Sequence, residues 1–73
     1  MKKKITFRFG PGDEVFVMMD NKITKGTIHK AEAELLSHKL YITYVILVDN
    51  NEITIKRSHE YVFNSSQELK DAL

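Results

Sequence analysis

Two periodicities run along this chain. Apolar residues recur at every second position over most of its length, and only the last nine residues shift to helical spacing. Ile5, Phe7 and Phe9 alternate with Thr6 and Arg8, the signature of a strand with one buried face. Gly10-Pro11-Gly12-Asp13 interrupts it; proline lacks an amide donor and glycine accepts positive φ, so these four residues predict a turn. The next strand is expected from Glu14 to Met19, with Val15, Val17 and Met19 on one face and Phe16 and Met18 on the other. A strand apolar on both sides belongs in a barrel wall or at a contact surface. Asp20-Asn21-Lys22 then predicts a tight turn, with Asn21 able to take the left-handed region.

From Ile23 a third strand is expected to run toward Leu35, far longer than the usual five or six residues. Such a strand has to bend, and Gly26 marks a place where one backbone can come close to another. Ala31-Glu32-Ala33-Glu34-Leu35-Leu36 has high helix propensity, so residues 31–36 are open to either strand or helical turn. After a turn at Ser37-His38-Lys39, the β-branched and aromatic run Leu40–Val48 predicts the central strand. Asp49-Asn50-Asn51-Glu52 reads as a two-residue hairpin leading into Ile53 and Ile55. Ser65 with Glu68 three residues later makes a capping box, and Leu69, Ala72 and Leu73 follow at helical spacing with Phe63 placed to pack on Leu69. The alternation selects Phe7, Val15, Val17, Ile28, Ile46 and Ile55 as core.

With 73 residues the chain is one domain, 1–73, divided into strands and turns over 1–64 and a terminal helix over 65–73. Its hydrophobic fraction of 42% and charged fraction of 29% are globular values. There is no cysteine, so neither disulfide, thiolate nucleophile nor cysteine-based metal site is available. No stretch reaches the roughly 18 apolar residues of a membrane helix. Met1-Lys2-Lys3-Lys4 has the charge of a secretory leader, but Arg8 breaks the apolar run such a leader needs, which points to a cytoplasmic protein without membrane partners.

Catalysis finds little material. His29, His38 and His59 have no metal-ligand spacing, and Ser37-His38 and Ser58-His59 are sequence neighbours on turns, so neither makes a triad. The expectation is a chain that is not an enzyme, with no catalytic residue, cofactor, metal or small-molecule substrate. Charge gives a second thread: residues 1–30 carry seven lysines and arginines against three carboxylates, although the whole chain is only +1. Arg8, Lys25, Lys30, Lys56 and Arg57, with Tyr41 or Tyr44 as a stacking face, are the candidates for contact with nucleic acid.

Five short strands joined by tight turns, two of them long enough to bend, predict a mainly β fold: a small five-stranded barrel with a short C-terminal helix. Gly12-Asp13-Glu14-Val15, Gly26-Thr27-Ile28, Tyr44-Val45-Ile46 and Val62-Phe63 resemble the succession in SH3-like barrels of the Tudor and KOW-like type, over roughly residues 10–64. The whole chain is also similar to uncharacterised small proteins of bacteria and phages. Val48-Asp49-Asn50-Asn51-Glu52 resembles the hairpin of methyl-ligand-binding Tudor domains, but Asn50 stands where the cage aromatic belongs, which removes the cation-binding face. The SH3-like resemblance therefore implies a binding or adaptor module. A protein partner or a homo-oligomer is expected, through Phe16 and Met18 or an unpaired strand edge; weak, sequence-tolerant nucleic-acid binding is the alternative.

Overall fold

A computed structural model describes residues 6–73. Four strands, β1 (Glu14–Met19), β2 (Lys22–Leu36), β3 (Lys39–Val48) and β4 (Ile53–Ser58), form one antiparallel sheet in the order β1-β2-β3-β4. A 3-10 turn (His59–Tyr61) and a short helix, α1 (Ser66–Asp71), complete the chain. The fold is thus mainly β with a terminal helix, and residues 31–36 are strand. Their helix propensity is overridden because each pairs with β3, from Ala31 opposite Tyr44 to Leu36 opposite Lys39.

The turns follow from residues that tolerate positive φ. Asp20 and Asn21 (φ 52° and 63°) link β1 to β2, and Ser37 and His38 (φ 48° and 68°) link β2 to β3. Both are two-residue hairpin connections whose backbone twist matches the flanking strands. The third differs from the expected two-residue hairpin. Val48 pairs with Ile53, so four residues make the loop, and Asp49, Asn50 and Asn51 all lie at positive φ.

Gly10-Pro11-Gly12-Asp13 is the expected turn, closed by the Asp13 amide donating to the Gly10 carbonyl (3.1 Å), with Gly12 at φ 90°. Proline second and a positive-φ glycine third is the type II arrangement. The Gly12 amide donates to the Ile28 carbonyl (2.8 Å) and the Ile28 amide to the Asp13 carbonyl (2.9 Å), which stitches the turn to β2.

Residues 6–9 are not a strand, and Ile5 lies outside the described residues. The amides of Arg8 and Phe9 donate instead to one acceptor, the Tyr44 hydroxyl, at 2.9 and 3.3 Å. A side chain thereby takes the place of a neighbouring strand. Phe9 sits in the core, edge-on to Tyr44 with ring centroids 5.5 Å apart, while Phe7 is 39% exposed and does not belong to the core.

Phe9, Val15, Val17, Ile28, Tyr44, Ile46, Val48 and Val62 form the core, and Ile55 packs at its margin, half-buried. The bend of β2 falls at His29, between Ile28 and Lys30, rather than at Gly26. Gly26 has a different duty. A Cβ there would lie 2.5 Å from Ile46 Cγ2 and 3.1 Å from the Leu47 carbonyl oxygen, so its absence lets β3 close up beneath β2.

No closed five-stranded barrel is seen. β1 and β4 form the two edges of an open sheet, and among the described residues only Phe16 of β1 bridges to the returning chain, at Phe63, the two exchanging amide-to-carbonyl bonds of 2.8 and 3.0 Å. Ser65 caps α1 as expected, its hydroxyl accepting from the Glu68 amide at 3.1 Å. The Glu68 carboxylate does not complete a reciprocal box; it reaches Arg8 at 2.7 Å and ties the helix to the segment before the turn.

Candidate interaction surface

Strand lengths in this sheet do not match. β2 has 15 residues and β3 has 10, whereas β1 and β4 have 6 each. β1 pairs only with residues 22–27 of β2, and β4 only with residues 43–48 of β3. Residues 30–36 and 39–42 therefore project as a two-stranded arm, consistent with overall dimensions of 41 × 27 × 18 Å.

The inner face of the sheet continues along this arm. Directly opposed strand residues share a face, so the pairs Ile28/Ile46, Ala31/Tyr44, Ala33/Ile42 and Leu35/Leu40 form one apolar row. At its base the row is core. Toward the tip none of the described residues covers it: Leu40 is 40% and Leu35 68% exposed. The opposite face pairs Lys30 with Val45, Glu32 with Thr43, Glu34 with Tyr41 and Leu36 with Lys39. It is largely polar, as a solvated strand face should be.

Phe16 and Met18, the sequence candidates for an interface, are half-buried. Phe16 is flanked by Phe63 through the bridge, and Met18 lines a groove beside α1 with Phe63 and Leu69. Four large exposed apolar side chains, Leu35, Leu36, Leu40 and Tyr41, cluster on the arm, while Tyr61 and Leu73 stand exposed beside the α1 groove.

Among the basic candidates, Arg8 pairs with Glu68 at 2.7 Å, Lys25 with Glu14 at 3.5 Å and Lys56 with Glu32 at 3.5 Å. The register puts Lys30 and Lys56 either side of Val45 on the outer face, whereas Arg57 lies opposite Tyr44 on the inner one. The Arg8 guanidinium sits 4.9 Å from the Phe9 ring centroid. Tyr41 is exposed, but the Lys39 ammonium lies 5.4 Å from its ring centroid and Glu34 stands across the strand. Tyr44 is in the core and offers no stacking face. The cations are thus spread over two faces and interleaved with carboxylates.

His29 occupies the bulge, His38 a turn, and His59 the start of the 3-10 turn. Among the described residues no three histidine, aspartate or glutamate side chains gather as a cation site, and no helix is long and apolar enough to cross a membrane. No known family, curated protein or solved structure matches this chain.

The arm's apolar row was missed in the sequence, although a signal for it existed. A strand expected to run past ten residues, beside neighbours of six, can be flanked for only part of its length.

Proposed function

We propose that the protein is a non-catalytic binding module that associates with a second copy of itself through the inner face of the β2–β3 arm. One observation carries this reading: the apolar row Ala31, Ala33, Leu35, Leu40 and Ile42 is the core face of the sheet continued beyond the strands that cover it. Exposed apolar surface of this kind gains most from being removed from water. Charge favours a second copy as the cover. The arm carries Lys30 and Lys39 against Glu32 and Glu34 and is formally neutral, so two arms meet without net repulsion. Shape favours it too. Ala33 on β2 faces Ile42 across the register, and a two-fold axis along the arm keeps each height, setting Ala33 of one copy over Ile42 of the other and Leu35 over Leu40.

An incompletely closed SH3-like barrel is the fold reading that accompanies this proposal, supported by the meander order and the Phe16–Phe63 bridge. Sedimentation equilibrium across a concentration series tests the association. The expected result is a monomer–dimer equilibrium that Leu35→Ser with Leu40→Ser abolishes while the fold persists. A monomer at every concentration, for the unaltered chain, overturns it. Single-stranded oligonucleotide added at low salt probes the other class of partner: tight, salt-sensitive binding would move the function to nucleic acid.

A further inference from the structure

We propose a second binding site, independent of the arm: a groove beside α1 that takes the C-terminal end of an extended peptide, its carboxylate on Arg57 and its last, apolar side chain between Met18, Tyr61, Phe63 and Leu69. Three features converge there. The first is a vacant strand position. Phe16 directs both its backbone groups away from β2, onto Phe63, and in an antiparallel ladder the residue two further on presents its N–H and C=O to the same edge. That residue is Met18. The ladder would continue with Tyr61 opposite it, but Tyr61 belongs to the 3-10 turn, so pairing stops after one bridge. The Met18 edge faces a groove rather than a strand, its carbonyl accepting only a long 3.5 Å bond from Arg57 among the described residues.

The second feature is the groove, about 350 Å³ and lined by Met18, Phe63, Leu69 and their neighbours along α1 and the 3-10 turn. Its walls are mostly hydrocarbon and aromatic, and its volume lies at the small end of ligand sites, suited to one or two apolar side chains. Third, Arg57 is the one charged side chain in that lining. It is half-buried, and among the described residues it makes no ion pair, in contrast to Arg8, Lys25 and Lys56. Its guanidinium donates only to main-chain carbonyls, to Lys56 at 2.9 Å and to Met18 at 3.5 Å. Two carbonyls hold the planar fork in place without neutralising it, and the remaining donors match a carboxylate in bidentate geometry. A strand edge, an apolar slot and an unneutralised arginine are together what an extended peptide with a terminal carboxylate requires.

The test is an amide-resolved NMR titration of the full chain with acetyl-Ala-Ala-Leu as the free acid, repeated with the same peptide as its C-terminal amide. The free acid is expected to shift Met18, Tyr61 and Leu69, and the amide to bind about tenfold or more weakly, because it loses the charge-assisted bonds. Arg57→Gln should weaken the free acid to the level of the amide, and Arg57→Lys should restore part of the difference. Equal binding of acid and amide, shifts confined to the arm, or no shifts at all would overturn the proposal. The acid–amide comparison needs no variant, so the result stands even if Arg57→Gln proves unstable. Since the arm is untouched, failure here leaves its self-association unaffected, and the reverse holds.

Discussion

The β2–β3 hairpin contains two halves built on the same pattern with opposite fates. Near the open end, residues 22–28 and 43–48 lie between β1 and β4, with Ile28, Tyr44, Ile46 and Val48 all buried. Toward the tip, the same alternation sets Ala33, Leu35, Leu40 and Ile42 on the same face, yet Leu35 and Leu40 are exposed. Periodicity decides which side a residue faces. Whether that side is covered depends on strands elsewhere in the chain, and here they are too short to reach. In the body burial stabilises the monomer, while in the arm the same chemistry stays exposed.

That comparison is broken most directly at the shared centre of the sheet. Ile46 is fully buried and touches the space left by Gly26. Ile46→Ala is expected to cost about 2–5 kcal/mol, measured by urea unfolding of the monomer, because removing buried methyl groups leaves a cavity. Leu40→Ala removes as much hydrocarbon from the arm. Equal losses at the two positions would show that the arm is as well packed as the body. The next effect is polar. Tyr44→Phe removes the acceptor shared by the Arg8 and Phe9 amides. Leaving a buried donor unpaired costs about 1–3 kcal/mol. Hydrogen exchange should accelerate at Phe9 but not along the arm beyond Ile42.

The body was largely legible in the sequence and the arm only half so. Val15, Val17, Ile28 and Ile46 are core as their alternation implies, and Ser65 caps α1. Phe7 misled because alternation is also satisfied by a chain whose amides are held by a tyrosine hydroxyl, a contact between residues 36 positions apart. The bulge at His29 carries no glycine to announce it. The candidate surfaces were the least legible. Phe16 and Met18 drew attention by facing away from the core, but Phe16 is taken up by the bridge to Phe63 while Met18 lines the groove beside α1, and no local pattern reports so distant a pairing. Arg57 stands among the nucleic-acid candidates of the sequence, whereas its register puts it on the inner face opposite Tyr44.

Smaller effects sharpen the contrast. Leu35 is 68% exposed, so Leu35→Ser should change monomer stability by no more than about 0.5 kcal/mol. It should nonetheless remove the dependence of the unfolding midpoint on protein concentration, because mass action stabilises only the associated form. A midpoint that is independent of concentration in the unaltered chain would place the arm's apolar row outside any self-association.

The smallest effect runs in the opposite direction and lies at the arm's tip. Ser37 and His38 both adopt positive φ, a conformation that Asn-Gly occupies with less strain. Ser37→Asn with His38→Gly is therefore expected to stabilise the hairpin by a few tenths of a kcal/mol, up to about 1 kcal/mol. Because residues 30–36 and 39–42 are flanked by no other strand among the described residues, the gain should be local. Slower hydrogen exchange at Leu36 and Lys39 with unchanged exchange at Ile46 would mark the arm as a unit that opens on its own. Equal slowing at both ends would instead show that the tip and the body unfold together. The exposed row would then owe its order to the core, and pre-forming the turn would add nothing to its readiness for a partner.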